Sequence, residues 1–227
     1  MPTCLNDTNP FVDNYCIFDL ETTGFSPYAD KIIEISAVKV INRQIVDERS
    51  TLINPKIPIP ARATQVNNIS NAMVRNAPEI NEVLPRFLSF TEGMVLVGHN
   101  IHTFDMKFIL RDAEELGLSV SNDYIDTLML AKRIFPTLKG RKLTDLADHY
   151  GISSDGAHRA LFDCRMNQII YEKLKNESQN AREKIHQTEQ KQQYCPFCRS
   201  PLQIKNGRFG QFLGCSNYPR CNYTKNL

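Results

Sequence analysis

The sequence predicts a mixed-sheet α/β domain followed by a small module stapled by metal. Three observations carry this. β-rich runs crowd between residues 15 and 53, strands and amphipathic helices alternate between residues 80 and 175, and four of the seven cysteines lie in residues 195–227. With 227 residues, 41% of them hydrophobic, the chain can build one substantial core and an appendage. No stretch approaches the roughly 18 apolar residues that span a bilayer, so no membrane partner is expected.

Residues 1–14 read as a loose polar leader. Tyr15–Leu20 is a nearly continuous apolar run, suited to a strand buried on both faces, and Thr22-Thr23-Gly24 ends it. Residues 32–41 and 44–53 are β-rich and joined by Asn42-Arg43, a hairpin signal. Residues 54–60 hold three prolines and must be extended. Ile80, Val83, Leu84, Phe87 and Leu88 have helical spacing, with Pro85 predicting a kink or a late start. Residues 94–98 form a short strand, and a second helix joins Met106, Ile109, Leu110, Ala113 and Leu116 before Gly117 stops it. Tyr124-Ile125 is one more strand, and Asp126-Thr127 caps a helix reaching Phe135. Short helix 142–150 precedes a last helix, which begins near Ala157 and buries Phe162, Met166, Ile169 and Ile170. The main domain is thus expected over 15–175, a polar linker or helical extension over 176–194, and a four-cysteine module over 195–227.

Net charge of +2 hides an asymmetry. Residues 195–227 carry Arg199, Lys205, Arg208, Arg220 and Lys225 and no acid, whereas residues 1–175 carry 22 acids and 19 bases. A basic tail suits an anionic partner, and an acidic body concentrates carboxylates. The N-terminus has neither a basic region nor an apolar one, and the odd, clustered cysteines argue for reduced thiols. A cytoplasmic location is expected.

The chemistry sits in three short stretches. In YCIFDLETTG, strand alternation puts Asp19 and Glu21 on one face, an unfavourable pair at a buried strand end unless a cation compensates. In GHNIHTFD, Asp105 falls in the first turn of the second helix, either as an N-terminal charge or as a further ligand; His99 and His102 lie in the preceding turn. In HRALFD, Asp163 lies among core residues of the last helix. His158 precedes it by five residues and, with an ordinary pKa of ~6.5, suits a base that deprotonates water.

FDLETTG, GHNIHTFD and HRALFD resemble, in order, the three motifs of the DEDDh family of 3′→5′ exonucleases, particularly the proofreading exonucleases of bacterial DNA polymerase III. The resemblance spans roughly residues 13–175 and implies an RNase H-like fold with two Mg²⁺ or Mn²⁺ ions. By it, Asp19, Glu21 and Asp163 bind one ion, Asp19 and Asp105 the other, and His158 is the general base. Thr22, Thr23, Gly24, His99, Asn100 and Phe104 match positions that hold the terminal nucleotide. Many relatives carry His-Gly-Ile-Thr where this chain has Asn67-Asn68-Ile69-Ser70, so no substrate detail carries over for that loop.

Cys195, Cys198, Cys215 and Cys221 give C-x2-C-x16-C-x5-C, the pattern of one tetrahedral Zn²⁺. The module resembles the zinc ribbons at the C-terminus of bacterial type IA topoisomerases, which implies single-stranded DNA binding. Arg208, Phe209, Tyr218, Arg220 and Tyr223 interleave cations with aromatics as such binding requires, while Phe212 is expected to pack the miniature core. The reading is a metal-dependent exonuclease acting on DNA ends, with a DNA polymerase as a candidate partner. Its alternatives are an RNA-trimming exonuclease and an inactive nucleic-acid-binding or polymerase-partner protein.

Overall fold

The computed structural model describes residues 2–6, 10–154, 159–191, 193–208 and 210–226. The chain divides into two compact units, Met1–Asn176 and Glu177–Leu227. In order, the first contains β1 (Tyr15–Thr22), β2 (Ile32–Ile41), β3 (Gln44–Leu52), α1 (Ala61–Asn67), α2 (Asn71–Val74), α3 (Ile80–Phe90), β4 (Val95–Gly98), α4 (Asp105–Glu115), β5 (Tyr124–Asp126), α5 (Thr127–Ile134) and α6 (Leu143–His149). α7 (Ala160–Lys191) begins in it.

The strands form one sheet in the order β3-β2-β1-β4-β5. β1, β2 and β3 pair antiparallel, and β4 and β5 continue parallel to β1, so the sheet is mixed as predicted. Asn42 and Arg43 turn the hairpin at φ 50° and 66°, the positive values that a two-residue turn matching strand twist requires. Alternation sends Cys16, Phe18 and Leu20 of β1 to one face, where α3 and α4 cover them with Val83, Leu84, Phe87, Met106 and Ile109. Tyr15 and Ile17 go to the other face, under Leu130 of α5, Leu146 of α6 and Ile170, Tyr171 and Leu174 of α7. A central strand covered on both sides explains the unbroken apolar run.

Two expectations change, and two stated alternatives are decided. α1 and α2 fill a segment read as loop; Ala63, Ile69 and Val74 bury against Ile33 and Ile59 in a separate small cluster. α3 begins at Ile80, not late, because Glu82 reaches back to accept the Glu79 amide (3.2 Å) and fixes the first turn ahead of Pro85. The leader is tied down: Thr3 and Leu5 exchange backbone hydrogen bonds with Tyr124, and Tyr171 Oη accepts the Val12 amide at 2.9 Å. The stretch read as a linker is helical through Lys191, the helical-extension alternative. Among the described residues no helix is long and apolar enough to cross a membrane.

The second unit holds β6 (Leu202–Gly207), β7 (Gly210–Cys215) and β8 (Thr224–Asn226), an antiparallel three-stranded sheet. Its core is Cys195, Leu202, Leu213 and Cys215, too small to close without a staple.

Candidate active site

The period of two that buries Ile17 carries Asp19 and Glu21 onto the face under α7. There the first turn of α7 presents Asp163, and carboxylate oxygens of Asp19, Glu21 and Asp163 lie within 4.8 Å of one another. Asp105, the first residue of α4, lies outside that trio. Its Oδ1 accepts the amide of Leu20 (3.2 Å), so it is held against the backbone between Asp19 and Glu21. β4 passes close enough that a side chain at Gly98 would meet Ile101 at 2.2 Å and the Phe18 carbonyl at 3.0 Å; only glycine fits.

The electrostatics of this group are unfavourable without a cation. Asp19 is raised well above the usual carboxylate range, first by desolvation and then by Asp105, Glu21 and Asp163. Desolvation, then the charges of Asp163 and Glu34, push Glu21 up to about 8. Burial pushes Asp105 to about 7 against the backbone hydrogen bonds that lower it. Three carboxylates whose ionised forms are penalised, gathered with Asp163 and with oxygen the only donor atom, suit a hard divalent cation.

The surrounding turns are rigidly built. Thr22 Oγ1 donates to the Gly24 carbonyl (2.6 Å), and Thr23 Oγ1 donates to Asp30 (3.1 Å) while accepting the Lys31 amide (3.0 Å). A Cβ on Gly24 would fall 2.5 Å from the Asp30 carboxylate. Both threonine hydroxyls are thus engaged inside the turn. Asn100 holds φ 65°, its amide donating to Asp126 Oδ1 at 3.1 Å. Phe104 lies partly buried between Phe108 (centroids 5.1 Å) and Phe25 (6.2 Å).

His99 is a correction. Its Nδ1 meets Thr127 Oγ1 at 3.0 Å and its Nε2 the Arg141 carbonyl at 2.9 Å, so both ring nitrogens are satisfied internally rather than offered to a nucleotide. Burial lowers its pKa, as suits a neutral structural ring. His102 likewise pairs with Tyr124 Oη (2.7 Å). His158 lies outside the described residues.

Sequence reasoning missed the roles of four residues here. Asn67, at the C-terminus of α1, hydrogen-bonds the Glu21 carboxylate, while its own Oδ1 accepts the Ile69 amide at 3.0 Å. Asn68 follows at φ 58°, a left-handed conformation that asparagine tolerates better than most residues. Phe25 stands 84% exposed beside Phe104; its signal was an aromatic directly after the TTG turn. Glu34, buried on β2 directly opposite Glu21, hid inside an apolar strand.

In the second unit, Cys195 and Cys221 Sγ are 3.6 Å apart and Cys198 and Cys215 Sγ 3.4 Å, with all four within 4.8 Å. Zn–S bonds of about 2.3 Å in a tetrahedron separate sulfurs by about 3.8 Å, so the four cysteines fit zinc. Tyr218 is 65% exposed with Lys205 Nζ 5.2 Å from its ring centroid, and Arg208 and Arg220 are exposed. Tyr223, expected among the exposed aromatics, instead packs against the cysteine core and Phe197 (5.5 Å). Phe212, expected in that core, lies over Gly207 and Gly214 beside Lys205, because strand alternation gives the inward place to Leu213. Phe209 lies outside the described residues.

Residues 16–171 match a protein-family model described as Exonuclease, and residues 192–227 one described as Topoisomerase DNA binding C4 zinc finger. The chain is 43% identical over 171 residues to a PolC-type DNA polymerase III of Clostridium perfringens, covering 74% of this chain but 12% of that protein. It is 37% identical over 164 residues to the DNA polymerase III epsilon subunit of Aquifex aeolicus, covering 72% of this chain and 81% of the subunit. A solved structure of exonuclease X in complex with 5′ overhanging duplex DNA superimposes with a TM-score of 0.60 at 28% identity, over 71% of this chain and 91% of the other. Mixed sheet, flanking helices and matched span agree, and the chain belongs to the exonuclease family, with a topoisomerase-type zinc ribbon at its C-terminus.

Proposed function

We propose that this chain is a 3′→5′ exonuclease that shortens DNA to nucleoside monophosphates, with residues 15–175 as the catalytic domain and the ribbon of residues 195–227 gripping single-stranded DNA. The observation that carries the reading is the convergence of Asp19, Glu21 and Asp163 within 4.8 Å, with Asp105 alongside. Oxygen-only donors favour Mg²⁺ or Mn²⁺. Two such ions supply an activated water and neutralise charge on the attacking and leaving oxygens. Asp19, Glu21 and Asp163 would hold one ion, and Asp19 and Asp105 the other. His158 takes the proton of the attacking water. The Thr22–Gly24 turn, with its hydroxyls engaged internally, offers backbone groups to the terminal nucleotide. Asn100 offers polar contacts, and Phe104 with Phe25 an aromatic surface for its base. Identity to an epsilon subunit supports a DNA polymerase as a partner.

The test is Asp19→Ala on a strand labelled at either end, in Mg²⁺. Wild type should release the 3′ label first, as a mononucleotide, and the variant should slow by on the order of 10³-fold. A variant at wild-type rate overturns the metal assignment, first release of the 5′ label overturns the polarity, and faster loss of a matched RNA overturns the substrate.

A further inference from the structure

That reading gives no work to Glu34. It lies on β2 in direct register with Glu21 on β1, and Ser36 likewise faces Asp19. Like charges directly opposite on neighbouring strands destabilise a sheet, and here Glu34 is only 1% exposed and Glu21 partly buried on the same face. Glu34 Oε1 accepts from Ser50 Oγ (2.9 Å) and from Arg159 Nη2 (3.3 Å), and Ser36 Oγ donates in turn to Ser50 Oγ (3.0 Å). Glu34 Oε2 is buried with no hydrogen-bond partner among the described residues. A fold needing only packing here would place an apolar residue, as it does at Val38 and Val40 further along the same face.

The partner explains the placement. Arg159 immediately precedes α7, and its carbonyl accepts the amide of Asp163 at 3.0 Å, closing the first helical turn. The chain Ser36–Ser50–Glu34–Arg159 therefore runs from beside Asp19 to the turn that carries Asp163. Glu34 lies outside the trio of close carboxylates, and its engaged oxygen reaches the turn of Asp163 through Arg159.

We propose that Glu34 is a positioning residue which, through Arg159, fixes the first turn of α7 and so holds the Asp163 carboxylate in register with Asp19 and Glu21 for the metal ion. This rests on the metal assignment above. It is tested by Mn²⁺ binding to the full chain without substrate, read by electron paramagnetic resonance, alongside thermal melts in chelator. Glu34→Gln keeps the shape but removes the charge that holds the guanidinium. Arg159→Gln removes the other end of the bridge at a half-exposed position, where the fold tolerates it. Each should weaken Mn²⁺ binding by about tenfold, the usual effect of losing a partner that orients a ligand. The double variant should be no worse than either single. Melting in chelator should not fall in Glu34→Gln, because a charge opposite Glu21 is removed. Wild-type Mn²⁺ affinity in both variants, or losses that add in the double variant, would overturn the proposal. If Asp19→Asn also binds Mn²⁺ as wild type does, the metal assignment itself has failed, a different result.

Discussion

Asp19 stands where charge is hardest to hold: at the end of a central strand, with Asp105, Glu21 and Asp163 all raising its pKa. This dictates how the metal-free protein responds to pH. The ordinary values are 3.8 for Asp19 and Asp105 and 4.5 for Glu21, against about 7 for folded Asp105, about 8 for folded Glu21 and a strongly raised Asp19. Between these limits the folded state binds more protons than the unfolded one. The stabilisation from these groups is therefore full below about pH 4 and is lost as pH climbs through 7 to 8. Thermal melts in chelator should show a lower Tm at pH 8.5 than at pH 5, and millimolar Mn²⁺ should shrink that gap. A Tm that rises with pH in chelator would contradict the picture. Asp19 and Glu21 were legible because two acids in an apolar run violate strand patterning. Glu34 was not, because a single acid in Ile32–Ile41 looks like an ordinary outward-facing residue. Nor was Asn67, whose hydrogen bond to Glu21 exists only once α1 has folded against the sheet.

At the scale of elements, Asp126 shows an acid near the site doing purely structural work. It is 1% exposed and caps α5, its Oδ1 accepting the amides of Leu128 (2.9 Å), Met129 (3.3 Å) and Asn100 (3.1 Å) and its Oδ2 that of His102 (3.0 Å). One side chain thus starts a helix and fixes the turn between β4 and α4. Asp126→Ala leaves these buried donors without an acceptor and should cost about 2–4 kcal/mol, read as a lower urea midpoint, well beyond the ~1 kcal/mol of an ordinary cap. A loss below ~1 kcal/mol would refute this role. The cap was readable because Asp-Thr directly precedes an apolar run. The long strands and α3, α4 and α7 were readable for the same kind of reason: each repeats its period often enough to register. α1 and α2 have seven and four residues, too few for a period, and their helicity comes from burial against Ile33 and Ile59. His99 misled for the opposite reason, since its position in a ligand-rich turn said nothing of Thr127 and Arg141 waiting for its ring.

At the scale of the whole molecule, a unit that concentrates carboxylates is joined in one chain to a unit with five cations and no acid in residues 195–227. Under the proposed function, the first unit needs bound metal to accept anionic DNA while the cations of the second favour it, and tethering the two would raise the local concentration of a strand end. The ribbon's cations need not all reach phosphate: Lys225 Nζ donates to Gln193 (3.0 Å) and Lys205 lies by Tyr218, while the exposed Arg199, Arg208 and Arg220 are the main candidates. Each phosphate contact on a single strand adds ~0.7 to the slope of log affinity against log salt. Deleting residues 195–227 should therefore weaken binding to a long single strand and flatten that slope by about 2, while hydrolysis of a short oligonucleotide at saturating concentration stays near the full-length rate. Chelating zinc should reproduce the loss of binding, because four cysteines, Leu202 and Leu213 cannot hold a fold alone. The two manipulations separate the units: a truncation that abolishes turnover of the short substrate would mean the ribbon belongs to the active site, and an unchanged salt slope would mean it meets something other than the phosphate backbone.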